Sequence, residues 1–413
     1  MTGQTVAEKI ITAHAGGQPA RAGDVVIVRV DGVMATDATA PLALKAFAEM
    51  GGQAPWDARR AVFVLDHATP APNERVASLH RQIREFALRH GCPFYDVGAG
   101  ICHQLMVENG HVRPGELFLG ADSHTPTYGA LNALSMGVGS TDLAATLLTG
   151  KTWLKVPHTL KVVLRGQLNP GVSAKDVILA LCGQIGSDGA RYMSVEFTGE
   201  AVYGLSLASR MVLANMVAEM GGKCASVDPT GLHLPYDWTP TLPDDDAVYA
   251  RVVELDCQQL VPMVAVPHAP DSVRPVREVA GTPIQQAFIG SCTNARLEDL
   301  HAAAQVLRGR KVATGVRLLI APASNAVFAA ALRDGTLDVL VEAGAVFITS
   351  GCGPCVGTHQ GVPGDGETVI SSTNRNFRGR MGNPKAEVYL SSPAVVAASA
   401  VAGVIADPLE VMA

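Results

Sequence analysis

Short apolar runs alternate along this chain with amphipathic helical stretches, the pattern of an α/β protein whose sheets are largely parallel. Two further observations support that class. The 413 residues are 48% hydrophobic and only 17% charged, enough apolar material for several buried cores. Nearly every apolar run also ends in chemically active side chains, as expected where strands deliver their carboxyl ends to a shared crevice.

Taken in order, Thr5 and Glu8 fit a capping box that opens a first amphipathic helix. "AVFVL" (61–65) reads as a strand, and in "ERVASLHRQIREFALRHG" Val76, Leu79, Ile83 and Phe86 share one helical face before Gly91 stops it. "ELFLGA" is the next such strand. A strand, a Pro-Gly turn and a new helix follow in "KVVLRGQLNPGVSAKDVILALCG", and a Pro- and Asp-rich stretch runs from Asp228 to Asp246. These breaks divide the chain into expected units at 1–165, 166–280 and 281–413. The last unit holds the strand-like "AFIGS", "AVFITSG" and "TVISST", then "PAVVAASAVAGVIA", too short and too rich in Ala for a membrane span and so a close-packed helix.

The five strand ends carry Asp66-His67, Asp122-Ser123-His124, Cys292, Cys352 and Asn374-Arg375, and they are expected to converge. Turn chemistry alone would favour Asn, Gly and Ser over this set.

A net charge of -6, with no long run of Lys or Arg, argues against nucleic acid as a partner, so an acidic ligand would need a local cationic pocket. The N-terminal stretch lacks the pattern of a secretory signal, and eight cysteines are too sparse for a disulfide scaffold, which makes a reducing cytoplasm the expected setting. Five of them (92, 102, 182, 224 and 257) sit in apolar or helical contexts and read as small buried hydrophobes.

The other three differ. Cys352 and Cys355 lie in "SGCGPCVG", a glycine-rich loop able to wrap closely round a ligand. By itself the pair fits a redox dithiol, half a zinc site or two cluster ligands. Adding Cys292 of "GSCTNAR" gives three thiolates. A structural zinc takes four protein ligands, whereas three thiolates on a cubane leave one iron open as a Lewis acid.

"GSCTN", "CGPC", "ADSHTPTYGAL", "GICHQ", "LDH" and "NRNFRGRMGNP" occur in the order and approximate spacing of the aconitase superfamily, which the chain resembles over essentially its whole length. Within that superfamily it looks most like the large subunits of isopropylmalate dehydratases. The resemblance implies three-layer α/β/α domains around a central 4Fe-4S cluster, one per chain, held by Cys292, Cys352 and Cys355 with one iron open. It implies a hydro-lyase acting on a 2-hydroxy dicarboxylic acid, the 2- and 3-isopropylmalate pair of leucine synthesis in the first instance.

His67 would protonate the departing hydroxyl while Asp66 holds its charge; His103, Asp122 and His124 would position water and share protons. Asn215 and Glu219, four residues apart and so on one side of a helix, match family positions near the cluster. Ser123, Asn215, Asn374, Arg375 and Arg380 match substrate-binding positions, the guanidinium forks suiting carboxylates. Arg378 reads as an ordinary solvated basic residue.

No Tyr-Gly-x-Gly-Ser-Ser-Arg type loop occurs, so the mobile fourth (swivel) domain and its serine base are expected on a separate small subunit, without which this chain is inactive. Two departures bear on the substrate. Pro126 in "SHTPT" and the stretch "TDATA" (Thr36 to Ala40) lean toward aconitase-like usage, with Thr36 and Thr127 where aconitases place glutamine and asparagine. Homoaconitase, methylmalate or citraconate hydratase and 2,3-dimethylmalate dehydratase are the alternatives within this chemistry. An iron-responsive RNA-binding protein is the alternative outside it, disfavoured by the charge.

Overall fold

A computed structural model describes residues 3–413. Its framework is three sheets and one small ribbon. In the first sheet five parallel strands lie in the order Phe94–Tyr95, Ala61–Val64, Gly32–Thr36, Leu117–Gly120, Leu134–Gly137. Four parallel strands form the second, in the order Cys224–Val227, Ser194–Thr198, Thr159–Arg165, Arg251–Asp256. The third has seven. Gln286–Ile289 sits between Thr368–Ser371 and Arg317–Ile320, all parallel, while Met263–Ala265 and Val273–Pro275 close one edge antiparallel.

The expected strands appear where the apolar runs lie, and their near-continuous Val, Ile, Leu and Phe content follows from burial on both faces. "AVFVL" becomes Ala61–Val64, with every residue buried. The helix after it spans Glu74–His90, capped by Asn73, whose side chain accepts from the Val76 N–H, and ended by Gly91 in the left-handed region. The Thr5–Glu8 capping box closes in both directions, with Glu8 accepting the Thr5 N–H at 2.9 Å.

"PAVVAASAVAGVIA" is the helix Pro393–Ala402, packed into the third sheet's core. No helix among the described residues is long and apolar enough to cross a membrane.

One element differs from its expectation. Asn215 and Glu219 do not share one α-helix: Leu207–Asn215 ends at Asn215, and Met216–Met220 continues as a tighter 3-10 turn that Gly221 closes at positive φ. Such tightening is common at a helix C-terminus running into glycine.

Candidate active site

All five strand ends meet. His67, Asp122, Ser123, His124, Cys292, Cys352, Asn374 and Arg375, joined by Cys355 and Arg380, line one cavity of about 110 Å³. A wider mouth of about 620 Å³ opens beside it, sharing His67, Asp122, Ser123 and Arg375 and adding Ala38, Thr39 and Lys223.

The cysteine loops are shaped by their backbones. Gly351 packs so closely that a Cβ there would stand 2.8 Å from the Asp66 carbonyl oxygen, and that oxygen accepts the Cys352 N–H at 2.7 Å. Cys292 lies in a loop whose Ser291 and Ala295 both have positive φ, 79° and 75°. Such conformations cost side-chain-bearing residues ~1–3 kcal/mol each and persist only where surroundings over-determine them. Here Arg296 supplies the constraint: buried under the loop, its guanidinium donates to the carbonyls of Cys292 (2.9 Å) and Thr293 (2.7 Å) and to Gln104 Oε1 (3.0 Å).

Asn374 stands between two of the sulfurs. Its Nδ2 donates to Cys292 Sγ at 3.2 Å and its Oδ1 accepts from Cys355 Sγ at 3.9 Å. The loop carrying it is held from below by Lys175, a buried ammonium donating to the carbonyls of Ser372 and Thr373. Burial pushes Lys175 down to about 8.

Beside Cys352 runs a chain of titratable groups, the ligand atoms of Asp66, His67 and Cys352 all lying within 4.8 Å of one another. His67 Nδ1 is 2.8 Å from Asp66 Oδ1 and its Nε2 is 3.3 Å from Asp122 Oδ2. Asp122 Oδ1 in turn lies 2.8 Å from His103 Nε2, and His103 Nδ1 is 3.1 Å from the Tyr128 hydroxyl. Burial alone would deprotonate His67, but the Asp66 charge and the hydrogen bonds to Asp122 and Asp66 outweigh it and hold the ring cationic, well above the ordinary imidazole range. Burial works against Asp122 as well, and its bonds to His103 and His67 keep it ionised well below the ordinary range.

The second group is His124, Glu219 and Arg375. Glu219 is 2.7 Å from His124 Nε2 and accepts from Arg375 Nε at 2.9 and 3.0 Å. Burial and the Arg375 charge lower His124, favouring the neutral ring. Glu219 resists burial through His124 and Arg375 and stays below its usual range. Arg375 thus reaches the cavity wall with its Nε fixed from behind.

Several expectations are refined by this geometry. Asp66 and Glu219 are not among the side chains lining the cavity; each bonds the histidine it orients, and Asp66 also comes within 4.8 Å of Cys352 Sγ. Asn215, expected to bind substrate, is fully buried, with Oδ1 accepting from Asn374 Nδ2 (3.2 Å) and Thr293 Oγ1 (3.3 Å) and Nδ2 donating to Thr127 Oγ1 (2.9 Å). It therefore acts as a brace. Thr36 is fully buried and turned toward Thr39, so Ala38 and Thr39 present "TDATA" to the mouth instead. Arg378 is exposed, its guanidinium 3.2 Å from His268 Nε2.

Sequence reasoning also missed residues. Cys102, grouped with inert buried cysteines, lines the same cavity as the other three, its N–H bonded to Asp66 Oδ2 at 2.7 Å. Its place directly before His103 at the start of the helix Cys102–Glu108 was the available signal. Arg296 directly follows "GSCTNA", and Lys175 lies in a helix that gave no hint of reaching a distant loop.

The residues fit an iron–sulfur group. Four buried cysteines line the cavity, three of them (Cys292, Cys352 and Cys355) on the two strand-end loops; the Asn374 amide bonds the sulfurs of Cys292 and Cys355, and Arg380 brings a guanidinium 3.8 Å from Cys355 Sγ with its own buried Nε unpartnered. Soft thiolates suit iron and zinc alike, but three of them beside a cationic, proton-bearing wall suit a group with an open coordination position.

The model of the aconitase family (aconitate hydratase) matches residues 8–237 and 274–403. The chain is 48% identical over 414 residues to 3-isopropylmalate dehydratase large subunit 1 of Methanopyrus kandleri, covering 98% of this chain and 99% of that one. It is 49% identical over 413 residues to the homoaconitase large subunit of Thermus thermophilus, covering 99% and 98%. Among solved structures, aconitase X of Thermococcus kodakaraensis in its holo-form shares the fold, with a TM-score of 0.52 at 13% identity over 90% of this chain and 88% of that one.

Proposed function

The chain belongs to the aconitase family, and from that premise we propose that it is the large subunit of a hydro-lyase interconverting 2-isopropylmalate and 3-isopropylmalate by removing and re-adding water. The observation that carries this is the cavity in which Cys292, Cys352 and Cys355 share the lining with His67, a histidine held between two carboxylates, and with Arg375 and Arg380. Family membership implies an iron–sulfur cluster; here it is proposed to be a 4Fe-4S cluster on Cys292, Cys352 and Cys355. Such a cluster, when bound, supplies an electrophilic iron that weakens a carbon–hydroxyl bond.

The protein's own groups do the rest. Arg375, fixed through its Nε by Glu219, and Arg380, with an unpartnered Nε, offer forked donors to the substrate's carboxylates. His67 carries the proton that a leaving hydroxide needs, and Asp66 and Asp122 grip its two nitrogens so that the ring neither rotates nor loses that proton early. His103 and Tyr128 extend the same hydrogen-bonded line inward, a route along which Asp122 can share a proton. Ser123 at the junction of cavity and mouth supplies a hydroxyl to the substrate.

A partner completes the site. The relatives named as large subunits support a small subunit, proposed to bring the serine loop whose oxygen takes the carbon-bound proton. A second reading, homoaconitate chemistry, has its own support: Lys223 stands in the wall of the mouth, its ammonium donating to the Gly137 carbonyl at 2.9 Å, a cation available to an extra carboxylate.

The test is turnover by the anaerobically loaded chain with its small subunit over a panel of malates. Isopropylmalate isomerisation is expected; an inert isopropylmalate beside an active homoaconitate would select the second reading.

A further inference from the structure

Asp37 has no part in the chemistry derived above, yet it is one of the most heavily bonded carboxylates in the molecule. Its Oδ1 accepts the backbone N–H groups of Asp66 (3.1 Å) and His67 (2.9 Å), and its Oδ2 accepts that of Ala68 (2.8 Å). His80 Nε2, from the buried face of the helix Glu74–His90, lies 3.2 Å from Oδ2. The side chain is almost wholly buried, and these bonds, with the nearby His67 charge, overcome burial and hold the carboxyl well below the usual range.

We propose that Asp37 is a positioning residue for the dehydration: its carboxylate fills the nest of three consecutive N–H groups at 66–68 and thereby fixes the aim of His67. Successive backbone N–H groups in a turn form an anion-binding concavity, and here the anion is built into the chain.

Three features make this more than an ordinary loop brace. The clamped peptide carries both members of the Asp66–His67 pair. Its Asp66 carbonyl and carboxylate also accept the N–H groups of Cys352 and Cys102, so the clamp registers the histidine against the cysteine wall. The His67–Asp122 contact, at 3.3 Å, is already long and will not survive a shift of the loop.

The carboxylate-binding groups come from elsewhere: Arg375 and Arg380 follow the strand Thr368–Ser371, and Ser123 follows Leu117–Gly120. Loss of the clamp should therefore reduce the chemical step and spare substrate binding. This inference rests on the hydro-lyase reading for its kinetic consequence, although the clamp itself does not.

Asp37→Asn removes the charge and sets an amide N–H against one of the three donors. In the chain paired with its small subunit, kcat is expected to fall ~30- to 100-fold, the scale of an ångström misplacement, with KM within about threefold and iron content unchanged. Amide hydrogen exchange at 66–68 in the same full-length variant should quicken at least about tenfold.

His80→Leu, which removes one donor at a side chain outside the cavity lining, is the milder companion should Asp37→Asn fail to fold; a loss of about three- to tenfold in kcat alone is expected. Unchanged kcat, a KM rising in step with falling kcat, or unchanged exchange at 66–68 would overturn the proposal. If the wild-type chain with its partner turned over no hydroxy acid at all, the functional reading would fail, and amide exchange would still decide the role of Asp37.

Discussion

Replacing Glu219 by Gln tests how the site aims Arg375, the arginine proposed to bind a substrate carboxylate. Glu219 is 4% exposed, and its carboxylate answers two cationic or polar neighbours at once, His124 Nε2 at 2.7 Å and Arg375 Nε at 2.9 and 3.0 Å. An amide keeps one acceptor and turns an N–H toward one of those partners. Removing one member of a buried ion pair typically costs ~3–5 kcal/mol, because the remaining charge is left uncompensated. Arg375 then loses a charged hydrogen bond of ~1.5–3 kcal/mol that orients it, which corresponds to roughly 10- to 150-fold in kcat/KM.

The pH dependence has a definite sign. Glu219 is held below the usual carboxylate range, so its contribution is complete above that range and is lost as pH falls through its lowered value. Thermal unfolding of wild type and Glu219→Gln should therefore differ most near neutral pH and converge in acid, where the wild-type carboxyl is itself protonated. Steady-state kinetics supply the other arm. A kcat/KM within twofold of wild type, or a stability difference that does not shrink on acidification, would refute the orienting role.

Arg375→Lys keeps the charge but loses the planar fork, and KM for the hydroxy diacid should rise about 10- to 100-fold while the fold persists. His67→Asn removes the proposed proton donor, with an expected loss of roughly 10²- to 10⁴-fold in kcat, measured with substrate saturating. Cys355→Ser should abolish activity and iron retention yet give an unchanged circular dichroism spectrum, because Cys355 is one small side chain of a large core and serine nearly matches its volume; insoluble protein would instead point to a structural metal.

Much of the site was legible because the fold concentrates it at strand ends. An apolar run marks a strand, and the residues just beyond it are delivered to the crevice, so Asp66, Asp122, Cys292, Cys352 and Asn374 could be gathered without coordinates. What stayed hidden acts from behind. Asp37 reaches the 66–68 peptide across neighbouring strands, and His80 looks like one polar residue in a polar helix until its burial is seen. Lys175 and Arg296 bind carbonyl oxygens, partners that carry no side-chain identity and so leave no pattern in the sequence. The helix expected to unite Asn215 and Glu219 breaks into a 3-10 turn, because spacing reports a periodicity and not the tightening that Gly221 imposes.

The central claim is that three cysteines, and not the neighbouring fourth, hold an iron–sulfur cluster in this cavity. Iron and sulfide analysis of anaerobically prepared chain, compared across Cys102→Ser, Cys292→Ser, Cys352→Ser and Cys355→Ser, addresses it most directly. About four irons and four sulfides per chain are expected in wild type and in Cys102→Ser, with the cluster lost from each of the other three. One zinc without sulfide, or a cluster that needs Cys102 and survives loss of Cys292, would contradict it.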